Sequence, residues 1–227
     1  PYTLISWGET EVSSGLAAIL VGAMPIFTVL IAHFTTHDEK ITRLKLAGIF
    51  LGFVGVVVIF SPELAGGIRM TFWGMIAIVV AALSYAGATV VAHRFVGDTP
   101  RTVVSTLQML SAAVILVPVA LVVDRPFGLT PSFSAWGSLL ALSLVGTSFA
   151  YILYYWLIAN TGPTRASLVT YISPAAGLAL GAFVLRETIA PTAIGGLLLI
   201  IAGIALVNRV AETPLEEKVL EGEAMHG

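Results

Sequence analysis

Long apolar runs, almost free of charged side chains, dominate this sequence and restrict the folds that it can adopt. Seven runs approach or exceed the length of about 20 residues that a helix needs to cross a bilayer. The runs cover residues 12–34, 44–60, 72–92, 102–123, 133–158, 166–185 and 189–207, and only Lys45, at the edge of the second, is charged. Because backbone polar groups in lipid must be satisfied within each segment, these runs predict an all-α integral membrane protein built as a helical bundle.

Composition excludes several classes of protein. Hydrophobic residues make up 57% and charged residues 11% of the 227, against about 45–50% and a quarter in ordinary soluble domains. The chain has no cysteine, so disulfides, thiolate zinc sites and cysteine nucleophiles are excluded. A net charge of −2 provides no basic surface for nucleic acid. We therefore expect a lipid bilayer as the environment, and neither a metal nor a cofactor.

One sequence pattern occurs twice, in the same order: a Pro, a Glu and two Gly seven residues apart. The residues are Pro25, Glu39, Gly48 and Gly55 in the earlier copy, and Pro174, Glu187, Gly196 and Gly203 in the later one. This order indicates an internal duplication. It divides the chain into the C-terminal part of a first repeat (residues 1–60), a second repeat (72–209) and a tail (210–227). Equal repeat lengths predict that about 78 residues of the first repeat precede Pro1.

Lysine and arginine residues fall mainly on one side of the predicted bundle. Eight lie on the side of the C-terminus and three on the other, which predicts a cytoplasmic C-terminus and a cytoplasmic tail. Glu39 then lies on the cytoplasmic side and Glu187 on the outer side, so the two copies are inverted. Inverted repeats of five helices each are typical of secondary transporters.

Two apolar stretches resemble a known family. SGLAAILVGAMPIFTVLIAHF and RASLVTYISPAAGLALGAFVLRETI, the latter followed by a helix with spaced glycines, are similar to the EamA family of the drug/metabolite transporter superfamily. The resemblance implies ten helices in two inverted five-helix repeats, of which about seven and part of one are present here. It also implies a central cavity and the export or exchange of small metabolites, such as amino acids, at the plasma or inner membrane. With no phosphate-binding GxxxxGK[ST] loop in the chain, energy would come from a gradient of an ion or of protons.

Polar and aromatic side chains within the runs are candidates for lining that cavity. The candidates are Ser84, Tyr85, Gln108, Ser148, Tyr151, Tyr155 and Tyr171. On an α-helix, Ser148, Tyr151 and Tyr155 would share one face, which suits an amphipathic organic molecule. Gln108 must face the bundle interior, where it either contacts substrate or joins helices.

The repeated residues have two interpretations each. Pro25 and Pro174 predict hinges or ordinary kinks. Glu39 and Glu187 suit caps of the following helices better than proton-coupling sites. The four repeated glycines predict close helix packing.

Two other functions remain as alternatives to transport. The GTSFA segment superficially resembles the serine motif of an intramembrane hydrolase, with Ser148 as nucleophile and His33 or His93 as base. A serine deep in a span and a histidine at its edge are badly placed for that chemistry, so we do not predict an enzyme. The seven runs also suggest a seven-helix receptor, which the short loops and the repeat disfavour.

Overall fold

The computed structural model describes residues 1–36, 40–66, 71–96, 99–123, 130–184 and 190–209, and every regular element in these ranges is helical. The helices are α1 (Tyr2–Glu11), α2 (Ser14–Val21), α3 (Met24–Thr35), α4 (Arg43–Ala65), α5 (Phe72–Val96), α6 (Arg101–Val123), α7 (Phe133–Ala141), a π-helix (Leu142–Phe149), α8 (Ala150–Ser167), α9 (Val169–Val184) and α10 (Pro191–Arg209). The prediction of an all-α protein is confirmed. The predicted tail, residues 210–227, lies outside the described residues.

Among the described residues, six helical stretches are long and apolar enough to cross a membrane. They are Ser14–Thr35, Arg43–Pro62, Phe72–Arg94, Arg101–Val123, Phe133–Ser167 and Pro191–Arg209. The predicted run 166–185 contains α9, which is described for 16 residues, up to Val184. The chain is therefore a multi-pass membrane protein by the length and composition of its helices.

The first predicted run is two helices rather than one. The α2 helix ends at Val21, a turn covers Gly22 and Ala23, and α3 begins at Met24. Pro25 lies in the first turn of α3, where its missing amide removes no helical hydrogen bond. The chain therefore changes helix immediately before this proline.

A second break occurs before the other repeated proline. Within α8, Gly162 adopts φ 80° and ψ 167°, a backbone conformation that L-residues with a side chain rarely reach. The helix resumes at Pro163, turns at Leu168 and continues as α9, with Pro174 in its interior. The interruptions in the second copy thus lie 12 and 6 residues before its proline, whereas the one in the first copy lies directly before Pro25.

The chain divides into two compact units. The larger consists of Pro1–Val90 and Pro163–Gly227, and the smaller of Val91–Gly162. In the larger unit, α4 packs on α10 around a core that includes Ile49, Val56 and Ile200. In the smaller unit, α7 and the π-helix have no buried residue, and α6 buries only Ser105. Side chains of α6, α7 and the π-helix are therefore mostly exposed, whereas Tyr155 and Ile158 on α8 are buried.

The N-terminal helix packs on α5 within the larger unit. A Cβ atom on Gly8 would lie 2.6 Å from Ile78 Cγ1, and one on Gly74 would lie 2.7 Å from Glu11 Cβ. The Thr71 hydroxyl donates to Glu11 Oε2 at 3.3 Å. Residues nearer the end of α1 contact residues nearer the start of α5, so the two helices run antiparallel.

Candidate functional site

The four repeated glycines meet each other in the structure. A Cβ atom on Gly48 would lie 2.7 Å from the Gly203 carbonyl oxygen, and one on Gly55 would lie 2.6 Å from the Gly196 carbonyl oxygen. Any side chain larger than hydrogen would therefore separate α4 from α10. Small residues allow this backbone approach and the dispersion contacts that stabilise helix pairs in lipid.

The pairing of these glycines has the form of a two-fold contact. The first glycine of each copy faces the second glycine of the other: Gly48 faces Gly203, and Gly55 faces Gly196. An interface is isologous when each of two residues in one copy contacts the counterpart of the other residue in the second copy. It also makes α4 and α10 antiparallel. The helices that carry the repeated glycines thus run in opposite directions, which agrees with the predicted inversion.

Tyr171 is the most deeply buried of the predicted cavity residues. Its exposed fraction is 0%, and its hydroxyl donates to the Ile49 carbonyl oxygen of α4 at 2.9 Å. Its ring lies over Gly52, where a Cβ atom would come within 2.6 Å of Tyr171 Cε2. Gly52 is a contact that the repeat pattern did not single out.

Ser84 and Tyr85 lie on α5 in the larger unit. The Ser84 hydroxyl is exposed and donates to the Val80 carbonyl at 2.8 Å, within its own helix. Tyr85 is half-buried, and its ring meets that of Tyr2 edge to face at a centroid distance of 5.9 Å. Tyr2 comes from α1, so this aromatic pair joins the N-terminal helix to α5.

Gln108 lies on α6 in the smaller unit and is half-buried. Its Oε1 atom is buried and has no hydrogen-bond partner among the described residues. An amide oxygen removed from water without a partner is costly, by about 1–3 kcal/mol. This is the predicted cavity residue whose polar atom is available to a ligand that donates a hydrogen bond.

Ser148 lies in an irregular part of its helix. Over Leu142–Phe149 the helix is of the π type, and hydroxyls donate to carbonyls five residues earlier: Thr147 to Leu142 at 3.1 Å and Ser148 to Ser143 at 2.9 Å. The regular α-helix assumed for residues 133–158 does not hold here. π-Helical turns concentrate at functional sites, but sequence periodicity did not reveal this one.

Three tyrosines cluster just after the π-helix. The Tyr151 ring lies 6.2 Å from that of Tyr155 and 6.5 Å from that of Tyr154, measured between centroids. Tyr155 is buried, whereas Tyr151 is half-buried. The predicted neighbours Tyr151 and Tyr155 are therefore in aromatic contact.

The two repeated glutamates, Glu39 and Glu187, lie outside the described residues. The N-cap position of α4 is held by Thr42, whose hydroxyl oxygen accepts from the Lys45 amide at 3.2 Å. At the end of α3, Lys40 donates to the carbonyls of His33 and Thr36 at 3.2 and 3.1 Å. A cation at a helix C-terminus is favourable, because it meets free carbonyls and the negative end of the dipole.

Apolar spanning helices and glycine-mediated helix packing define a polytopic helical membrane protein. A model of the EamA-like transporter family matches residues 1–61 and 72–209. The chain belongs to this family, and the resemblance inferred from its two apolar stretches is confirmed.

Three curated relatives are similar to this chain. YoaV of Bacillus subtilis strain 168, an uncharacterized transporter, is 28% identical over 88% of this chain and 68% of its own length. YedA of Escherichia coli K12, an uncharacterized inner membrane transporter, is 27% identical over 79% and 56%. A probable amino-acid metabolite efflux pump of Salmonella typhimurium LT2 is 28% identical over 84% and 66%. This chain therefore spans between 56% and 68% of the length of these relatives.

A solved crystal structure shares the fold. It superposes with a TM-score of 0.79 at 20% identity, over 93% of this chain and 72% of the other. The family and the names of the relatives indicate a transporter, and they give no support to a hydrolase or a receptor. The Ser148 hydroxyl donates to a carbonyl of its own helix, which is not the arrangement of an activated nucleophile.

Proposed function

We propose that the protein is a secondary transporter that exports small metabolites, amino acids or related amphipathic compounds, by alternating access. The observation that carries the proposal is the antiparallel contact between the repeated glycines of α4 and α10. It relates the two copies by a local two-fold axis, and alternating access in such proteins comes from movement of one repeat against the other. One relative is named a probable amino-acid metabolite efflux pump, which supports the substrate class.

Gln108 and the tyrosines near the π-helix supply the chemistry that such a substrate needs. The unpartnered Gln108 Oε1 would accept a hydrogen bond from a substrate ammonium group. The ring of Tyr151, in contact with Tyr155, offers a face for a cation or an apolar side chain. Ser148 belongs to the same unit as these residues, and Ser84, Tyr85 and Tyr171 of the larger unit remain predicted cavity residues. A gradient of an ion or of protons would supply the energy.

The direct test is a comparison of exported metabolites. Cells that express the intact gene and cells that lack it are grown side by side, and small molecules in the two media are compared without prior selection. We expect accumulation of one or a few amino-acid-like compounds in the medium of the expressing cells. Export of the identified compound from loaded vesicles then confirms it, and identical media across all growth conditions would contradict the proposal.

The predicted inversion of the copies has its own test. Because the chain has no cysteine, Glu39→Cys and Glu187→Cys each provide a single labelling site. A thiol reagent that does not cross membranes should label Glu187→Cys in intact cells, and Glu39→Cys only after the membrane is opened. Labelling of both from the same side would show that the copies are not inverted. Such labelling would also remove the main support for alternating access.

A further inference from the structure

A hydrogen bond between two distant segments joins the broken helix of the second copy to α4. The Tyr171 hydroxyl and the Ile49 carbonyl belong to residues 122 positions apart, and their oxygens lie 2.9 Å apart in the buried core. The Ile49 carbonyl lies within α4, so it also has the Phe53 amide as its regular helical donor. The bond from Tyr171 is thus additional to the structure of α4, and α4 does not depend on it.

Tyr171 ends a buried stripe that runs across the break between α8 and α9. Thr164, Ser167, Leu168 and Tyr171 have exposed fractions of 0%, 1%, 4% and 0%. Thr164 and Ser167 lie in α8, Leu168 is the turn and Tyr171 lies in α9, so the buried stripe continues through the turn. Leu168 and Tyr171 belong to the same core cluster as Ile49, so this side of the segment is the one that packs inward.

The stripe also carries a polar atom that the core does not satisfy. Thr164 Oγ1 is buried and has no hydrogen-bond partner among the residues that the structure describes. A buried hydroxyl without a partner favours conformations in which it meets water or a ligand. The bond from Tyr171 opposes this tendency, so the stripe contains one group that favours attachment and one that favours release.

The first copy lacks an equivalent bond. Gly22 precedes Pro25 by three residues, as Tyr171 precedes Pro174. Gly22 also lies near α4, since a Cβ atom there would be 3.3 Å from Val56 Cγ1, but glycine has no hydroxyl to donate. Two identical halves would give conformations of equal energy, whereas a bond made by one half favours one conformation.

We propose that Tyr171 is a positioning residue that holds α9 on α4 in one of two transport states. In the other state the stripe from Thr164 to Tyr171 leaves α4, and the hydroxyls of both residues become accessible to the passage. Glycine is needed at position 52 because a side chain there would occupy the space of the Tyr171 ring. This inference rests on the proposed alternating access. It identifies a contact that favours one of the two transport states.

The test uses thiol labelling of a cysteine placed in the stripe. Ser167→Cys changes a buried hydroxyl that bonds only to the Thr164 carbonyl of its own helix, at 2.7 Å, and the chain has no other cysteine. Labelling is measured on the intact protein in membrane vesicles with a small water-soluble thiol reagent. Adding Tyr171→Phe removes the hydroxyl and keeps the ring. We expect the labelling rate to rise about fivefold, the population change that one neutral hydrogen bond supports.

Two controls separate local release from general loosening. Ile200→Val removes one methylene from the same core cluster and should leave the labelling of Ser167→Cys unchanged. Ala193→Cys, buried on α10 with 3% exposure, should stay protected when Tyr171→Phe is added. An unchanged Ser167→Cys rate, or an equal rise with Ile200→Val or at Ala193→Cys, would overturn the proposal. Since labelling requires no substrate, its outcome is independent of whether export is detected.

Discussion

Replacement of Gly196 by alanine is expected to destabilise the protein, because the new methyl group would collide with α4. A Cβ atom at this position would lie 2.6 Å from both the Gly55 carbonyl oxygen and Ile59 Cγ1. Overpacking of this kind typically costs about 1–3 kcal/mol. For a protein of this size, each kcal/mol corresponds to roughly 2–4 °C in melting temperature. The measurement is thermal unfolding of the purified protein in detergent, with abundance in the membrane as a second reading.

The adjacent glycine provides the matched control. Gly195 occupies the same helix, and a Cβ atom there would meet nothing within 4 Å. We therefore expect Gly195→Ala to be neutral or to stabilise the protein by up to about 1 kcal/mol, through the better helix propensity of alanine. Leucine at position 196 should prevent accumulation of folded protein. Equal melting temperatures for Gly195→Ala and Gly196→Ala would mean that α4 and α10 do not approach at these glycines.

Gln108→Leu is expected to lower transport at least about tenfold at limiting substrate, since a hydrogen bond to a charged group contributes about 1.5–3 kcal/mol. Leucine has a similar size and cannot accept the proposed bond from a substrate ammonium group. Because Gln108 Oε1 has no partner among the described residues, its removal breaks no hydrogen bond there. Abundance and thermal stability should therefore match those of the unmodified protein. Initial rates in loaded vesicles are the measurement, with the effect appearing mainly in KM.

Ser111→Ala is the control for this change. Ser111 lies on the same helix, is exposed, and donates to the Leu107 carbonyl at 2.7 Å, so its loss should leave transport unaffected. Tyr151→Ala should lower transport as well, by removing the half-buried ring beside Tyr155. If Gln108→Leu and Tyr151→Ala both transport normally, these residues do not line the cavity.

Helix positions were largely predictable because the signal for a membrane helix is local. A run of about 20 apolar residues is sufficient to identify a span, and the predicted runs 44–60, 72–92 and 102–123 each fall within a single helix, α4, α5 and α6. The interruptions were not predictable to the same degree. Gly22 looks like any glycine in an apolar run. The π-helix over Leu142–Phe149 leaves no mark in periodicity.

The site was predictable in residue type and not in arrangement. Polar groups within apolar runs are visible in any sequence, which is why Gln108 and the tyrosines could be named. Their partners were not visible, because a hydrogen bond such as that from Tyr171 to Ile49 joins residues that only folding brings together. Gly52, which makes room for the Tyr171 ring, lies outside the repeated pattern, so the sequence did not identify its role.

The sequence by itself determined the lipid environment and the helical class, and it predicted two related copies, because hydropathy and repeated residues are properties of the chain alone. Only the tertiary structure decided that Gly48 faces Gly203 and Gly55 faces Gly196, and that Tyr171 closes on α4. The physical reason is that lipid makes every apolar helix face nearly equivalent. Which helix faces meet then depends on where glycines allow a neighbouring backbone or ring to approach closely. It also depends on single hydrogen bonds between distant segments.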